Sequence, residues 1–218
     1  EPAVPPPPRY NIGPAQPVLI IRQDPLTYEP KREAVLVQWG FVPDWAKDAT
    51  VGGAGPFINA RVETAWEKAS FKNAYRRRRC LIPANGFYEW DRAGAAKQPY
   101  RVETGALIGM AGLWECWLGA AGTEIETTCF LTKAAGPAMA RIHHREPVVI
   151  PPEGYADWLH ADERDLRKFA RWLDAPAPSW QLAPVSRAVG NIRNDHAGLL
   201  EEVVVEAPMP KPQQGSLF

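Results

Sequence analysis

From residue 18 to residue 132 the chain is cut into short apolar or alternating runs, separated by Gly, Pro, Asn and Asp, with one helical stretch among them. The runs lie at 18–21, 34–39, 57–63, 80–82, 87–90, 99–103, 106–114 and 124–132. Strands this close together are joined by tight connections, not by the long crossovers that parallel neighbours need. The pattern therefore predicts an α+β fold in which antiparallel sheets curl into a barrel-like core, with a few peripheral helices. A chain of 218 residues, 45% of them hydrophobic, suits a single domain with a real core. We place that domain at 1–206 and read 207–218, with three prolines and a polar close, as a flexible tail. Later elements are short: a helical turn at 137–142, a strand at 148–150, helices at 155–160 and 163–173, and a last strand at 180–186.

Within this frame, Pro83-Ala84-Asn85-Gly86-Phe87-Tyr88-Glu89-Trp90 stands out. Asn85-Gly86 reads as a tight turn, because both residues tolerate a positive φ. Further turns are expected at Asp24-Pro25 and at Arg92-Ala93-Gly94. Alternation then sets Phe87 and Glu89 on one face and Tyr88 and Trp90 on the other. A carboxylate sharing a face with an aromatic ring is either partnered or functional. The helical stretch, 65–79, carries Trp66, Ser70 and Ala74 on one stripe and Phe71 and Tyr75 as an i,i+4 pair. It ends in Arg76-Arg77-Arg78-Arg79, read as a solvated helix end or as a phosphate-binding cluster.

Several function classes recede on composition. Lys+Arg and Asp+Glu are both 25, so only local clusters, and not net charge, can argue for a nucleic-acid partner. The three cysteines, Cys80, Cys116 and Cys129, form no C-x-x-C pair and have no histidine at ligand spacing. Neither a disulfide framework nor a metal site is expected, nor any cofactor. Gly52-Gly53-Ala54-Gly55-Pro56 lacks the Lys-Ser/Thr close of a phosphate-binding loop. No apolar run reaches membrane-spanning length and the start is no signal peptide, so a cytoplasmic protein is expected. Nine tryptophans is many for this length; most should be core, but a few exposed ones would suit stacking on bases or sugars.

The residues that can carry chemistry are Asn59, Arg61, Glu63, Glu89, His143 and Arg145. His143 and His144 can serve as a proton-transfer pair with Glu89, or can be one solvated and one core histidine. Asn59 and Arg61, two apart on a strand, can hold a sugar hydroxyl and a phosphate, or can be satisfied polar groups of a sheet face.

In joint order, these segments resemble the SOS response-associated peptidase (SRAP) family of abasic-site processing proteins. The blocks are Arg9-Tyr10-Asn11-Ile12-Gly13-Pro14, Trp39-Gly40-Phe41-Val42-Pro43, Ile58-Asn59-Ala60-Arg61-Val62-Glu63-Thr64, Gly86-Phe87-Tyr88-Glu89-Trp90, Lys97-Gln98-Pro99-Tyr100, Ile142-His143 and Pro184-Val185-Ser186-Arg187-Ala188-Val189-Gly190-Asn191. The resemblance implies covalent capture of abasic sites in single-stranded DNA by an N-terminal cysteine. Its α-amine would form a Schiff base with the sugar aldehyde and its thiol would close a thiazolidine. By the same resemblance, Glu89, His143 and Asn59 are the catalytic residues, Asn11, Arg61 and Arg145 hold flanking phosphates, and Trp45 stacks on a base beside the lesion.

The family's Met-Cys-Gly-Arg opening is absent, and the chain starts at Glu1. We read this as an upstream segment removed or not included, in preference to a truncated form that cannot crosslink. Two other activities stay open: an autoprocessing peptidase using Glu89 and His143, and a non-catalytic adaptor for single-stranded DNA. Gln214-Gly215-Ser216-Leu217-Phe218 resembles the bacterial sliding-clamp-binding pentapeptide, which would make Gln214, Leu217 and Phe218 a clamp-docking tail on a nucleoid-associated protein.

Overall fold

A computed structural model describes residues 7–23, 31–51, 55–91, 97–120, 122–160 and 166–205. The expected turns at 24–25 and 92–94, most of the glycine loop at 52–56, and the 207–218 tail lie outside these residues.

Five strands close on one another: β1 (Pro17–Gln23), β2 (Arg32–Trp39), β4 (Arg79–Asp91), β5 (Gln98–Leu118) and β6 (Glu124–Ala134). The ring runs β6-β2-β1-β4-β5 and returns to β6. The remaining strands hang on this ring. β3 (Asn59–Arg61) and β7 (Arg145–Pro147) pair with β6, while β8 (Val149–Ile150) and β9 (Gln181–Pro184) pair with β5. The fold is thus a sheet-dominated α+β domain with few helices, as expected. One expectation fails: the pairing is not wholly antiparallel. β2 meets β6 in parallel, with Gln38 opposite Thr127 and Trp39 opposite Thr128, and β3 also runs parallel to β6. The long excursion from residue 40 to residue 123 supplies the crossover that a parallel neighbour requires.

Alternation along the ring strands sorts side chains into two cores. Cys80 and Ile82 join Val18, Ile20, Val37, Met110 and Trp114 in one cluster, to which all five ring strands contribute. Leu81, between them, joins Leu113, Leu131 and Val148 in the other. That second cluster is covered by the short helices α2 (Lys72–Arg77), α3 (Tyr155–Leu159) and α4 (Leu166–Leu173), which bring Tyr75, Trp158 and Phe169. The period of two in the sequence is what divides the cores.

Asn85-Gly86 is not a turn. β4 continues through it and only the register shifts, from Ala84 opposite Ile108 to Gly86 opposite Glu103. Glycine is needed here for space: a Cβ on Gly86 would lie 2.6 Å from the Val102 carbonyl oxygen. The left-handed residue sits across the ladder instead, at Gly105, with φ of +78°.

The expected helix at 65–79 is also broken. α1 (Val62–Ala65) and α2 are separate short pieces, and the expected strand at 57–63 shrinks to β3. Phe71 and Tyr75 are buried as a pair, but Trp66 is not on a core stripe and is 53% exposed. The arginine run splits: Arg76 and Arg77 close α2 and are exposed, as a solvated helix end should be, whereas Arg78 and Arg79 turn inward. Arg79 opens β4, is buried, and donates to the carbonyls of Tyr75, Arg76, Trp158 and His160. Arg78 pairs with buried Glu115 at 3.0 Å.

Glu115 gives the fold a pH dependence. Burial, opposed by Arg78 and by the Cys116 amide, pushes its carboxyl from the usual 4.5 up to about 7. A carboxyl that holds its proton longer in the native state stabilises fully below its unfolded value, and that contribution is lost as pH rises through 7. The unfolding free energy of the wild type, read from urea titrations, should therefore fall between about pH 5 and 8, by on the order of 1–3 kcal/mol. Glu115→Gln should flatten the profile over that interval; parallel profiles for the two proteins would remove Glu115 as the cause.

Candidate functional site

The outer end of β4 projects Glu89 beyond the shifted register, where Tyr100 of β5 lies opposite it. Phe87, on the same face, packs edge-on against Trp180 with ring centres 5.4 Å apart. Tyr88 and Trp90 turn the other way, onto Val185, Val189 and Leu199. The alternation expected from the sequence is present, and it leaves Glu89 at the edge of an apolar face. Its Oε1 accepts the Trp90 backbone N–H at 3.0 Å. Its Oε2 lies 3.7 Å from Nδ1 of His143, and both side chains are 22% exposed. They are shielded, yet open to a ligand.

His143 arrives from the β6–β7 connection. A 3-10 turn at Met139–Arg141 ends with the His143 amide bonded to the Met139 carbonyl at 2.9 Å, which aims the ring at β4. Nδ1 faces both a donor and acceptors. The Arg145 amide lies 3.1 Å away, the Arg145 carbonyl 3.0 Å away, and Glu89 beyond them. A neutral ring with its proton on Nε2 can accept from the amide; a ring protonated at Nδ1 can donate to the carbonyl or to Glu89. Both states are served without moving the ring, which suits a group that exchanges protons. His144 lies against His143, with ring centres 4.5 Å apart.

Asn59 and Arg61 share the exposed face of β3, as expected, with the buried Ala60 between them. Their partners on β6 are Phe130 and Thr132. Trp39 sits against Phe130, and its indole N–H donates to the Ile58 carbonyl, so an aromatic pair borders Asn59. Thr132 links this strand to Arg145, whose Nη2 donates to the Thr132 carbonyl.

Arg145 is not a free cation. It forms a fork-to-fork pair with Glu63, at 2.6 and 2.8 Å. The pair holds the Glu63 carboxyl below its usual range, chiefly through this hydrogen bonding. Nothing local in the sequence marks a partner for Glu63, because the pair spans 82 positions. Glu63 of α1, Arg145 of β7, His143 of the preceding turn and Glu89 of β4 are therefore linked in succession, with Arg61 of β3 acting on Glu63 through its charge.

Two expected site residues lie elsewhere. Asn11 is buried, and its side-chain amide donates to the carbonyls of Val189, Asn191 and Asn194 at 3.0, 3.3 and 3.0 Å. It clamps the N-terminal segment to the 189–194 loop and presents no group to a phosphate. Trp45 stands on the turn after Phe41-Val42-Pro43, 55% exposed, with its N–H on the Ala69 carbonyl at 3.3 Å. Gln214, Leu217 and Phe218 fall outside the described residues.

No cysteine of the chain offers a ready thiolate. Burial pushes Cys80 up to about 12 and Cys129 well above its ordinary value, and burial also raises the half-buried Cys116. Among the described residues no group of His, Cys, Asp and Glu is arranged to hold a metal, and no helix is long and apolar enough to cross a membrane.

Comparison with known proteins gives consistent results. The model of the family described as SOS response associated peptidase (SRAP) matches residues 1–192. The abasic site processing protein YoqW of Bacillus subtilis (strain 168) is 34% identical over 200 residues, covering 89% of this chain and 86% of its own. YedK of Escherichia coli (strain K12), which has the same descriptive name, is 34% identical over 202 residues, covering 89% and 85%. HMCES of Gallus gallus, also named an abasic site processing protein, is 32% identical over 232 residues, covering 94% and 68%. Among solved structures, a Bordetella bronchiseptica protein superposes with a TM-score of 0.68 at 33% identity, covering 80% of this chain and 86% of that one. A Bacteroides thetaiotaomicron protein superposes at 0.72 and 23% identity, covering 90% and 82%.

Proposed function

This chain belongs to the SOS response associated peptidase family, and from that membership we propose that it captures abasic sites in single-stranded DNA through a covalent link. The observation that carries the reading is the Glu89–His143 pair, 3.7 Å apart, which connects through Arg145 and Thr132 to the strand that carries Asn59 and Arg61.

An abasic deoxyribose is mostly a closed hemiacetal. Glu89 takes the proton of the anomeric hydroxyl and returns one to the ring oxygen, which frees the aldehyde. The α-amine of an N-terminal cysteine, lying outside these 218 residues, then adds to the aldehyde carbon. Such an amine has a pKa near 8, so a useful fraction is neutral at pH 7. The resulting carbinolamine loses hydroxide as water, with His143 supplying the proton, and leaves an iminium ion. The cysteine sulfur adds to the iminium carbon, the thiol proton returns to His143, and a five-membered thiazolidine with a neutral ring nitrogen closes. The high thiol pKa values of Cys80, Cys116 and Cys129, and their lack of an adjacent amine, support a nucleophile outside this set. Asn59 hydrogen-bonds the linkage, Arg61 and Arg145 hold flanking phosphates, and Trp45 stacks on a neighbouring base.

The test is incubation of the protein carrying that cysteine with single-stranded DNA bearing one abasic site. A gel-shifted covalent adduct, absent with intact DNA and absent after cysteine-to-serine exchange, is expected. No adduct would end this reading.

Because Glu63 already occupies Arg145, a phosphate must replace one oxyanion by another. Glu63→Gln is therefore expected to tighten binding of intact single-stranded DNA several-fold and to steepen its salt dependence, measured by fluorescence anisotropy. Unchanged or weaker binding would remove Arg145 from the phosphate contacts.

A further inference from the structure

Of nine tryptophans, only Trp45 and Trp66 are more than half exposed. They are anchored on the same short segment. The Trp66 indole N–H donates to the Glu63 carbonyl at 3.0 Å, folding the ring back along α1. The Trp45 N–H donates to the Ala69 carbonyl at 3.3 Å. In both residues the one polar atom of the side chain is satisfied within the chain, while the ring remains bare. A ring pinned in this way loses little freedom when a flat ligand lies on it. Water-exposed indoles on consecutive anchors make no sense as packing: Trp66 contributes to none of the buried clusters.

The surroundings favour an anionic, aromatic partner. Lys47 and Lys68, each two residues beyond one of the indoles, are exposed. Exposed Arg61 and Lys72 extend the strip on either side, so four cations stand against the exposed acids Asp44, Asp48 and Glu67, while the exposed Glu63 is held by Arg145. The strip also runs directly from β3, since Asn59–Arg61 leads into α1 and α1 into Trp66.

We infer that Trp66 is a second base-stacking residue, which with Trp45 forms a two-indole platform for nucleotides flanking the lesion. This rests on the reading that the chain holds single-stranded DNA. The partner is single-stranded because the stacking faces of a duplex are already covered. The platform is indifferent to sequence, since every base offers a face and neither N–H is left to read an edge.

The experiment measures binding of the 218-residue protein to an intact fluorescent oligonucleotide by anisotropy across a salt series. Trp66→Ala is expected to weaken binding about 5- to 100-fold, the range for one lost base–aromatic stack. Trp66→Phe should keep most of the affinity, because it keeps a face. Trp45→Ala should lose a comparable factor, and the double variant the product of the two. The slope of log affinity against log salt should not change in these variants, whereas Lys68→Ala should lower it by about one. Thermal unfolding, unaltered in Trp66→Ala, separates a lost contact from a lost fold. Wild-type affinity in Trp66→Ala overturns the inference, as does Trp66→Phe failing as badly as Trp66→Ala, which would assign the residue's role to its N–H. If the wild type binds no single-stranded DNA, the proposed function fails along with this inference. If the cysteine-bearing protein forms the adduct and Trp66→Ala binds normally, only this inference fails.

Discussion

Replacing Glu89 with glutamine is expected to slow capture of an abasic site by about 10²–10⁴-fold, the usual worth of a positioned acid–base group. The fold should not register the change. Glu89 Oε1 accepts one backbone N–H, from Trp90 at 3.0 Å, and a glutamine oxygen can accept the same bond. What disappears is the ability to take a proton and return it beside His143, 3.7 Å away. Single-turnover formation of the adduct, with the cysteine-bearing protein, gives the rate; a urea midpoint near the wild-type value gives the control. His143→Gln should fall by a similar factor. The double variant should fall little further, because residues that act on one proton behave as a unit and their losses do not multiply. A Glu89→Gln protein that captures at the wild-type rate would leave the pair without a catalytic role, and fully multiplicative losses would separate the two residues into independent steps.

Arg79→Ala carries the largest expected effect on stability, about 3–5 kcal/mol. Arg79 is 3% exposed, and among the described residues no carboxylate is seen to pair with it. Four carbonyls surround it in place of an acid: Tyr75 and Arg76 at the end of α2, Trp158 and His160 at the end of α3. Its plane also lies over the Phe169 ring, 4.1 Å from the centroid. Burial pulls its pKa down to about 10, still well above neutrality, so the charge persists. The last carbonyls of a helix have no partner within it. One arginine satisfies two such ends and fastens both helices to the start of β4. Arg79→Met keeps the volume but not the donors, and it should cost nearly as much as alanine, because the carbonyls stay buried and unpaired. Arg79→Lys should fall between, since an ammonium cannot present the planar fork. Urea or thermal unfolding reads all three, with a midpoint drop on the order of 10 °C for alanine. A methionine variant as stable as wild type would mean that packing, not carbonyl satisfaction, is what Arg79 provides.

Glu89 was legible from the sequence because one signal, a carboxylate alternating with aromatics in a strand, is local. The exposed face of Asn59 and Arg61 was legible for the same reason. Arg79 was not, because a helix-ending arginine run gives no sign of which member turns inward; the turn happens where α2 stops and β4 begins. Asn11 misled in the opposite sense. It belongs to a motif that resembles a family block, but its amide is consumed by three carbonyls of a loop nearly 180 positions away. Asn85-Gly86 misled because its chemistry suits a turn, whereas here glycine answers the close approach of the Val102 carbonyl. The helical periodicity of 65–79 puts Trp66 on a helix stripe. The segment between α1 and α2 instead leaves that periodicity and exposes the ring.

By itself the sequence determined the class of fold, the strand alternation and the inventory of groups able to hold protons or phosphates. These follow from short-range periodicity and side-chain chemistry. The tertiary structure alone decided how the ring closes, through a parallel β2–β6 contact that no local pattern encodes. It decided which arginine is buried, which is held by Glu63 and which stays open to a ligand. It also brought Glu89 of β4 to His143 of the β6–β7 connection. Those are contacts between distant parts of the chain, fixed by strand register and by the packing of two cores, and they exist only once the ring has closed.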